Sequence, residues 1–174
     1  TFASAGNAAD FGNLTAAREL PSSCSSSVRA LHGGGGSSQV NIIDFDTIAS
    51  TGNATDFGDL TAARNRFGSC SSSTRGIWGG GDTGSKSDII DYVTIASTGN
   101  AIDFGDLLAA QTAPCAASTE IRGVFTGGRI SPANINVMQH VTIASTGNAT
   151  DFGDLSEAKE MSSSSSDSHG GLQA

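Results

Sequence analysis

One fourteen-residue stretch constrains this chain more than any other feature. Thr47-Ile48-Ala49-Ser50-Thr51-Gly52-Asn53-Ala54-Thr55-Asp56-Phe57-Gly58-Asp59-Leu60 returns almost unchanged at residues 94–107 and 142–155. A worn copy occupies residues 1–14. The Phe of each copy (Phe11, Phe57, Phe104, Phe152) sets steps of 46, 47 and 48 residues. A fixed period of this size belongs to propellers, solenoids or arrays, in which each unit buries its apolar face only against a neighbour.

Within one period the pattern is that of strands. The unit beginning at Ser69 opens with the small run Ser69-Cys70-Ser71-Ser72-Ser73. Thr74-Arg75-Gly76-Ile77-Trp78 follows and ends in Gly79-Gly80-Gly81. Asp82 to Ser87 is polar and Gly-bearing, hence a loop. Residues 88–97 are rich in β-branched and aromatic side chains and read as a strand, with Ile90 and Tyr92 on one face and Val93 and Ile95 on the other. Gly99-Asn100 reads as a tight turn, and 101–107 as a fourth short strand. No segment carries an apolar period of 3.6 over ten residues; the nearest, 107–111, is one turn long. Four short strands in about 47 residues is the content of one propeller blade. The expected fold is therefore all-β, a propeller of four-stranded antiparallel blades, with the Ser/Cys strand innermost. A rod of stacked sheets is the alternative arrangement.

The order of features resembles the kelch repeat. Gly79-Gly80 matches its double glycine, Asn100 its turn, and Phe104 stands where kelch has Trp. Arg18 and Arg64 stand at the place of the inter-blade Arg, whereas Gln111 and Lys159 depart from it. Ile48, Ile95 and Ile143 stand near the usual Tyr. The signature wording is also similar to kelch-like repeats of virion and tail-fibre proteins of marine tailed phages. That resemblance implies a non-enzymatic structural or adhesion module in a virion. Its implied partners are other virion proteins or a host cell-surface glycan or protein. A kelch-type intracellular interaction module and a glycan-binding or glycan-cleaving propeller are the alternatives.

The expected organisation is one repeat domain over 1–174. It holds a partial blade at 1–14, blades at about 22–60, 69–107 and 115–155, and a partial or capping blade at 162–174. The opening inside a repeat reads as a truncated chain. The change of pattern after Met161 reads as a capping end. The two partial blades can complete one another in a ring of four; a longer native chain, or association with another copy into a homo-oligomer, is an equal expectation.

A net charge of −8 and a pI near 4.5 argue against a nucleic-acid partner and against docking on anionic lipid. No apolar run approaches the roughly 20 residues of a membrane span. Catalytic chemistry is poorly provided for: there is no nucleophile elbow and no phosphate loop. The kelch resemblance also brings in copper-radical oxidases, which need two Tyr, and the single Tyr92 argues against that chemistry. No cofactor is expected. Asn53, Asp56 and Asp59 offer oxygen ligands for Ca²⁺, but Asp56 and Asp59, three apart on a strand, are expected on opposite faces and in turn-forming roles. Cys24, Cys70 and Cys115 are read as matching repeat positions and are expected as small packing residues rather than a metal ring. Arg29, Arg75 and Arg122 recur on the second strand. They can line an anionic-ligand rim, but pairing with Asp44 and Asp91 is favoured. His32, His140 and His169 share no repeat position.

Recognition is expected on the loops, where the repeat wording fails. These are 35–39, 82–87 and 129–134 between the second and third strands, and 19–23, 65–68 and 112–113 between units. Asp82, Lys86, Arg129, Asn134 and Arg66 are the candidate ligand-binding residues.

Overall fold

The structure, a computed structural model, describes residues 6–166. Residues 1–5 and 167–174, which include His169 and parts of both terminal partial blades, lie outside the described residues. The described chain is all-β and contains no helix. The first sheet is β1 (Ser22–Ser25), β2 (Arg29–Gly33), β3 (Ile42–Thr47) and β4 (Thr55–Asp59). The second is β5 (Gly68–Ser71), β6 (Arg75–Gly79), β7 (Ser87–Thr94) and β8 (Ile102–Gln111). The third is made by β9 (Cys115–Ser118), β10 (Arg122–Thr126), β13 (Val137–Thr142) and β14 (Thr150–Asp154), with the small hairpin β11 (Arg129–Ile130) and β12 (Ala133–Asn134) inserted between β10 and β13. Each four-stranded sheet is an antiparallel meander in chain order. Segment 129–134, expected as a loop, is thus partly strand, because Arg129 and Ile130 pair with Asn134 and Ala133.

Small side chains on the first strand of each sheet let β1, β5 and β9 lie side by side. Serine hydroxyls donate across this seam: Ser71 Oγ to Ser25 O and Ser118 Oγ to Ser71 O, both 2.7 Å. The first hairpin of each sheet turns on a hydroxyl, Ser26, Ser72 or Thr119, which accepts backbone N–H bonds from residues two and three further on.

The core lies between sheets. Leu31, Ile43, Phe57 and Leu60 of the first sheet and its following turn pack with Trp78, Val93, Ile95 and Ala101. Ile77, Ile90, Phe104 and Leu107 of the second pack with Phe125, Val141, Ile143 and Ala149. Ile90 and Tyr92 on one face, Val93 and Ile95 on the other, agree with the alternation read from sequence. The glycine of the Arg-Gly step has a steric reason. A Cβ on Gly76 lies 2.8 Å from Cys24 Sγ, and one on Gly123 lies 2.6 Å from Cys70 Sγ. Ala30 stands at this position in the first sheet, where no earlier cysteine-bearing strand is described.

The pairing register corrects the cysteine alignment. Cys24 opposes Leu31 and Cys70 opposes Ile77, but the residue opposing the equivalent Val124 is Ala117. Cys115 opposes Thr126, the place of Ser22 and Gly68.

Candidate functional site

The repeated signature builds a joint between sheets. Strand β3 ends at Thr47, and the chain turns over Ile48 to Ser50, with Ser50 N–H donating to Thr47 O. Gly-Asn is therefore not the tight turn expected. It lies against the last strand of the preceding sheet. Gly99 N–H donates to Phe57 O (2.8 Å), Ala101 N–H to Asp59 O (2.7 Å), and Asp59 N–H to Asn100 Oδ1 (3.1 Å). The same three bonds join Gly147-Asn148-Ala149 to Phe104-Gly105-Asp106. They also join Gly52-Asn53-Ala54 to Phe11-Gly12-Asn13 in the N-terminal segment.

The receiving strand is bulged at its Phe. Ile43 opposes Gly58 while Asp44 opposes Asp56, leaving Phe57 as the extra residue. β8 and β14 show the same shift at Phe104 and Phe152. The bulge also overturns the parity argument for the acidic pair: Asp56 opposes Asp44 and Asp59 opposes Ile42, two residues apart, so Asp56 and Asp59 share a face. Among the described residues no group of three or more His, Cys, Asp or Glu side chains is placed to hold a metal ion.

The recurrent Arg residues of the second strand are not paired with Asp44 and Asp91. Arg29 and Arg75 lie 4.6 Å from the ring centres of Phe45 and Tyr92. Each donates to a carbonyl of the next unit, Ile95 O at 2.9 Å and Ile143 O at 2.8 Å. Asp44 and Asp91 belong instead to Arg18 (2.8 Å) and Arg64 (2.9 Å), in fully buried ion pairs. Thr15 and Thr61 cap these carboxylates through both N–H and hydroxyl. In the third sheet Gln111 and Gln139 replace the pair, with Gln139 Nε2 donating a hydrogen bond to Gln111 Oε1 at 3.2 Å. Burial pushes the Asp91 carboxyl up and the Arg64 guanidinium down, each opposed by the other's charge. Burial likewise raises the thiols of Cys24 and Cys70, the latter to about 12. Neither is a nucleophile at neutral pH.

The loop candidates gather along the sheet ends, each in a structural role. Asp82 exchanges both backbone bonds with Asn65, and its carboxylate caps Gly84 N–H at 2.8 Å. Lys86 is bridged to Asp82. Arg129 is bridged to Thr112, pairs with Asn134 across β11–β12, and has Glu160 at 3.9 Å. Arg66 holds a left-handed backbone (φ 54°) and accepts from Ala113 N–H. Leu20, Ala113 and Met161 hold the same conformation between units. Arg129 and Asn134 are brought together, as are Asp82 and Lys86, while the backbone contact of Arg66 is to Ala113.

Two hollows lie apart from these loops. One of about 180 Å³ is lined by the inner segments of four successive units: Ser23 to Ser25, Ser69 to Ser71, Ala116 to Ser118, and Ser164 to Ser166. Ser164 Oγ donates to Ala116 O, repeating the seam between inner strands. The other, about 410 Å³, lies on the outward face of the third sheet, over Ala117, Val124, Phe152 and Ile121, with Arg122 at its side. Phe152 is 45% exposed, whereas Phe57 and Phe104 are each 2% exposed beneath the next sheet. Phe152 holds the same repeat position as these two covered side chains. This face has an aromatic, aliphatics and one cation, and so offers recognition by shape and contact.

No protein-family model and no curated protein matches the chain.

Proposed function

We propose that this chain is a kelch-like β-propeller array that serves as a non-enzymatic structural or adhesion module of a phage particle. The carrying observation is the shared axial hollow: four successive inner segments line one space, and the sheets radiating from it pack face to face. Blades set about an axis bring their inner strands together in this way, which supports the propeller reading. The phage assignment rests on the signature's resemblance to repeats of marine tailed-phage virion and tail-fibre proteins. The loops between the second and third strands and those between units meet along one set of sheet ends, through Gly36 with Glu19, Asp82 with Asn65, and Arg129 with Thr112. A rigid frame with irregular loops at one end suits contact with another virion protein or a host-surface glycan or protein.

Immunogold electron microscopy with an antibody to this chain tests the reading. Gold on a tail or fibre is expected. Absence of label from purified particles of a phage encoding the chain overturns it.

A further inference from the structure

The joints within the chain come in complementary halves, and among the described residues one of each half is unmatched. The inserting half is Gly-Asn-Ala, at 6–8, 52–54, 99–101 and 147–149. The receiving half is Phe-Gly-Asp or Phe-Gly-Asn, at 11–13, 57–59, 104–106 and 152–154. Three joints are made, and each receiving half takes the inserting half of the next unit. Gly6, Asn7 and Ala8 are exposed, and among the described residues they make none of these bonds. Among the described residues, none inserts into the Phe152-Gly153-Asp154 half.

The geometry of the empty half is that of the filled ones. A Cβ on Gly58 falls 2.5 Å from the Gly99 carbonyl, and one on Gly105 falls 2.6 Å from that of Gly147. A Cβ on Gly153 meets only Met138 Cε at 3.7 Å, with no backbone carbonyl of a described residue close by. Phe152 is likewise exposed, unlike Phe57 and Phe104. Among the described residues, Arg122 makes no counterpart of the carbonyl bonds made by Arg29 and Arg75.

We propose that the outward edge of the third sheet receives the Gly6-Asn7-Ala8 segment of a second copy of this chain. Gly6 N–H donates to Phe152 O, Ala8 N–H to Asp154 O, and Asp154 N–H to Asn7 Oδ1. Ala8 rests on Phe152 as Ala101 rests beside Phe57 in the first core. This is a head-to-tail contact between two different surfaces, so it propagates into an open chain or closes into a ring of copies. The proposal continues an interface already made three times within one molecule and is independent of the phage reading.

A disulfide trap tests it. The pair Asn7→Cys and Asp154→Cys is placed in the full chain with Cys115→Ser, beside an internal control, Asp59→Cys with Asn100→Cys, that reports a joint already formed. Under mild oxidation the control cross-links within the monomer. The test pair gives a ladder of covalent dimers and higher species if the proposal holds. A cross-link confined to the monomer, or none while the control forms, overturns it. Sedimentation velocity gives a second reading that needs no oxidation. Concentration-dependent association is expected, weakened about five-fold by Asn7→Ala through loss of one hydrogen bond. A monomer at every concentration overturns the proposal. Asn7 is exposed near the described N-terminus, so its substitution leaves the sheets intact.

Discussion

At residue scale the buried polar pairs are the most exacting feature. Arg64 and Asp91 are both fully buried at 2.9 Å, and the third sheet does the same job with Gln111 and Gln139. A buried ion pair is hard to break from one side and easy to replace from both. Arg64→Gln alone strands a carboxylate and is expected to cost about 3–5 kcal/mol in urea denaturation. Arg64→Gln with Asp91→Gln copies the third sheet and is expected within about 2 kcal/mol of the parent. A double variant as unstable as the single would show that the two pairs are not interchangeable. The thiols make a second test. Cys24 and Cys70 are buried and raised, while Cys115 is half-buried with its Sγ 2.8 Å from Thr126 Oγ1. Native protein at pH 8 is expected to lose Cys115 to a thiol reagent first, with Cys24 and Cys70 labelled only on unfolding; peptide mapping by mass spectrometry decides. The recurrence of Arg18 and Arg64 was legible in the sequence. Their carboxylate partners were not, because Asp44 and Asp91 lie 26 and 27 residues further along the chain and only folding brings them opposite. Arg29 and Arg75 were the nearer candidates by strand order, and the aromatic rings of Phe45 and Tyr92 took them instead.

At the scale of elements, the four-strand meander followed from local pattern: small run, aliphatic-aromatic strand, β-branched strand, signature. Two things hid from it. Gly-Asn has the composition of a turn, but its partner is the preceding sheet, and a dipeptide carries no record of what it will touch. The bulge at Phe57 hid for the same reason, since it is a relation between β3 and β4. The joint sets a firm expectation for Gly58. Its φ of 144° and the approach of the Gly99 carbonyl leave no space for a methyl group. Gly58→Ala is expected to cost about 2–4 kcal/mol through strain and overpacking, read as a lowered melting temperature. Asn100→Ala removes only the side-chain acceptor for Asp59 N–H and is expected to cost about 1 kcal/mol. The reverse ranking would mean that the side-chain bond, and not the close backbone approach, holds the joint.

Across the whole molecule, the three sheets are unequal in what covers them. The second has a sheet on both faces, and the third has an open outward face with Phe152 exposed. In an array whose stability is a sum over units and their interfaces, protection follows coverage. Amide hydrogen exchange is expected to be slowest in β6 and β7 and faster in β13 and β14. Equal protection across the sheets would indicate a single cooperative unit without end effects. That prospect was partly readable, since the period announced an array; the unequal ends were not, because the copies of the signature look alike wherever they stand.

The joint has a consequence for how such a chain changes over time. A complete signature copy such as 94–107 is read twice: its Gly-Asn-Ala is judged by the sheet before it, its Phe-Gly-Asp by the unit after. A substitution in one copy therefore has to suit a neighbour that has not changed, and two fitting substitutions in different copies must arise together. The loops carry no such repeated wording and differ from unit to unit. The wording stays uniform for the reason that a screw thread does: any pitch serves, provided every turn shares it.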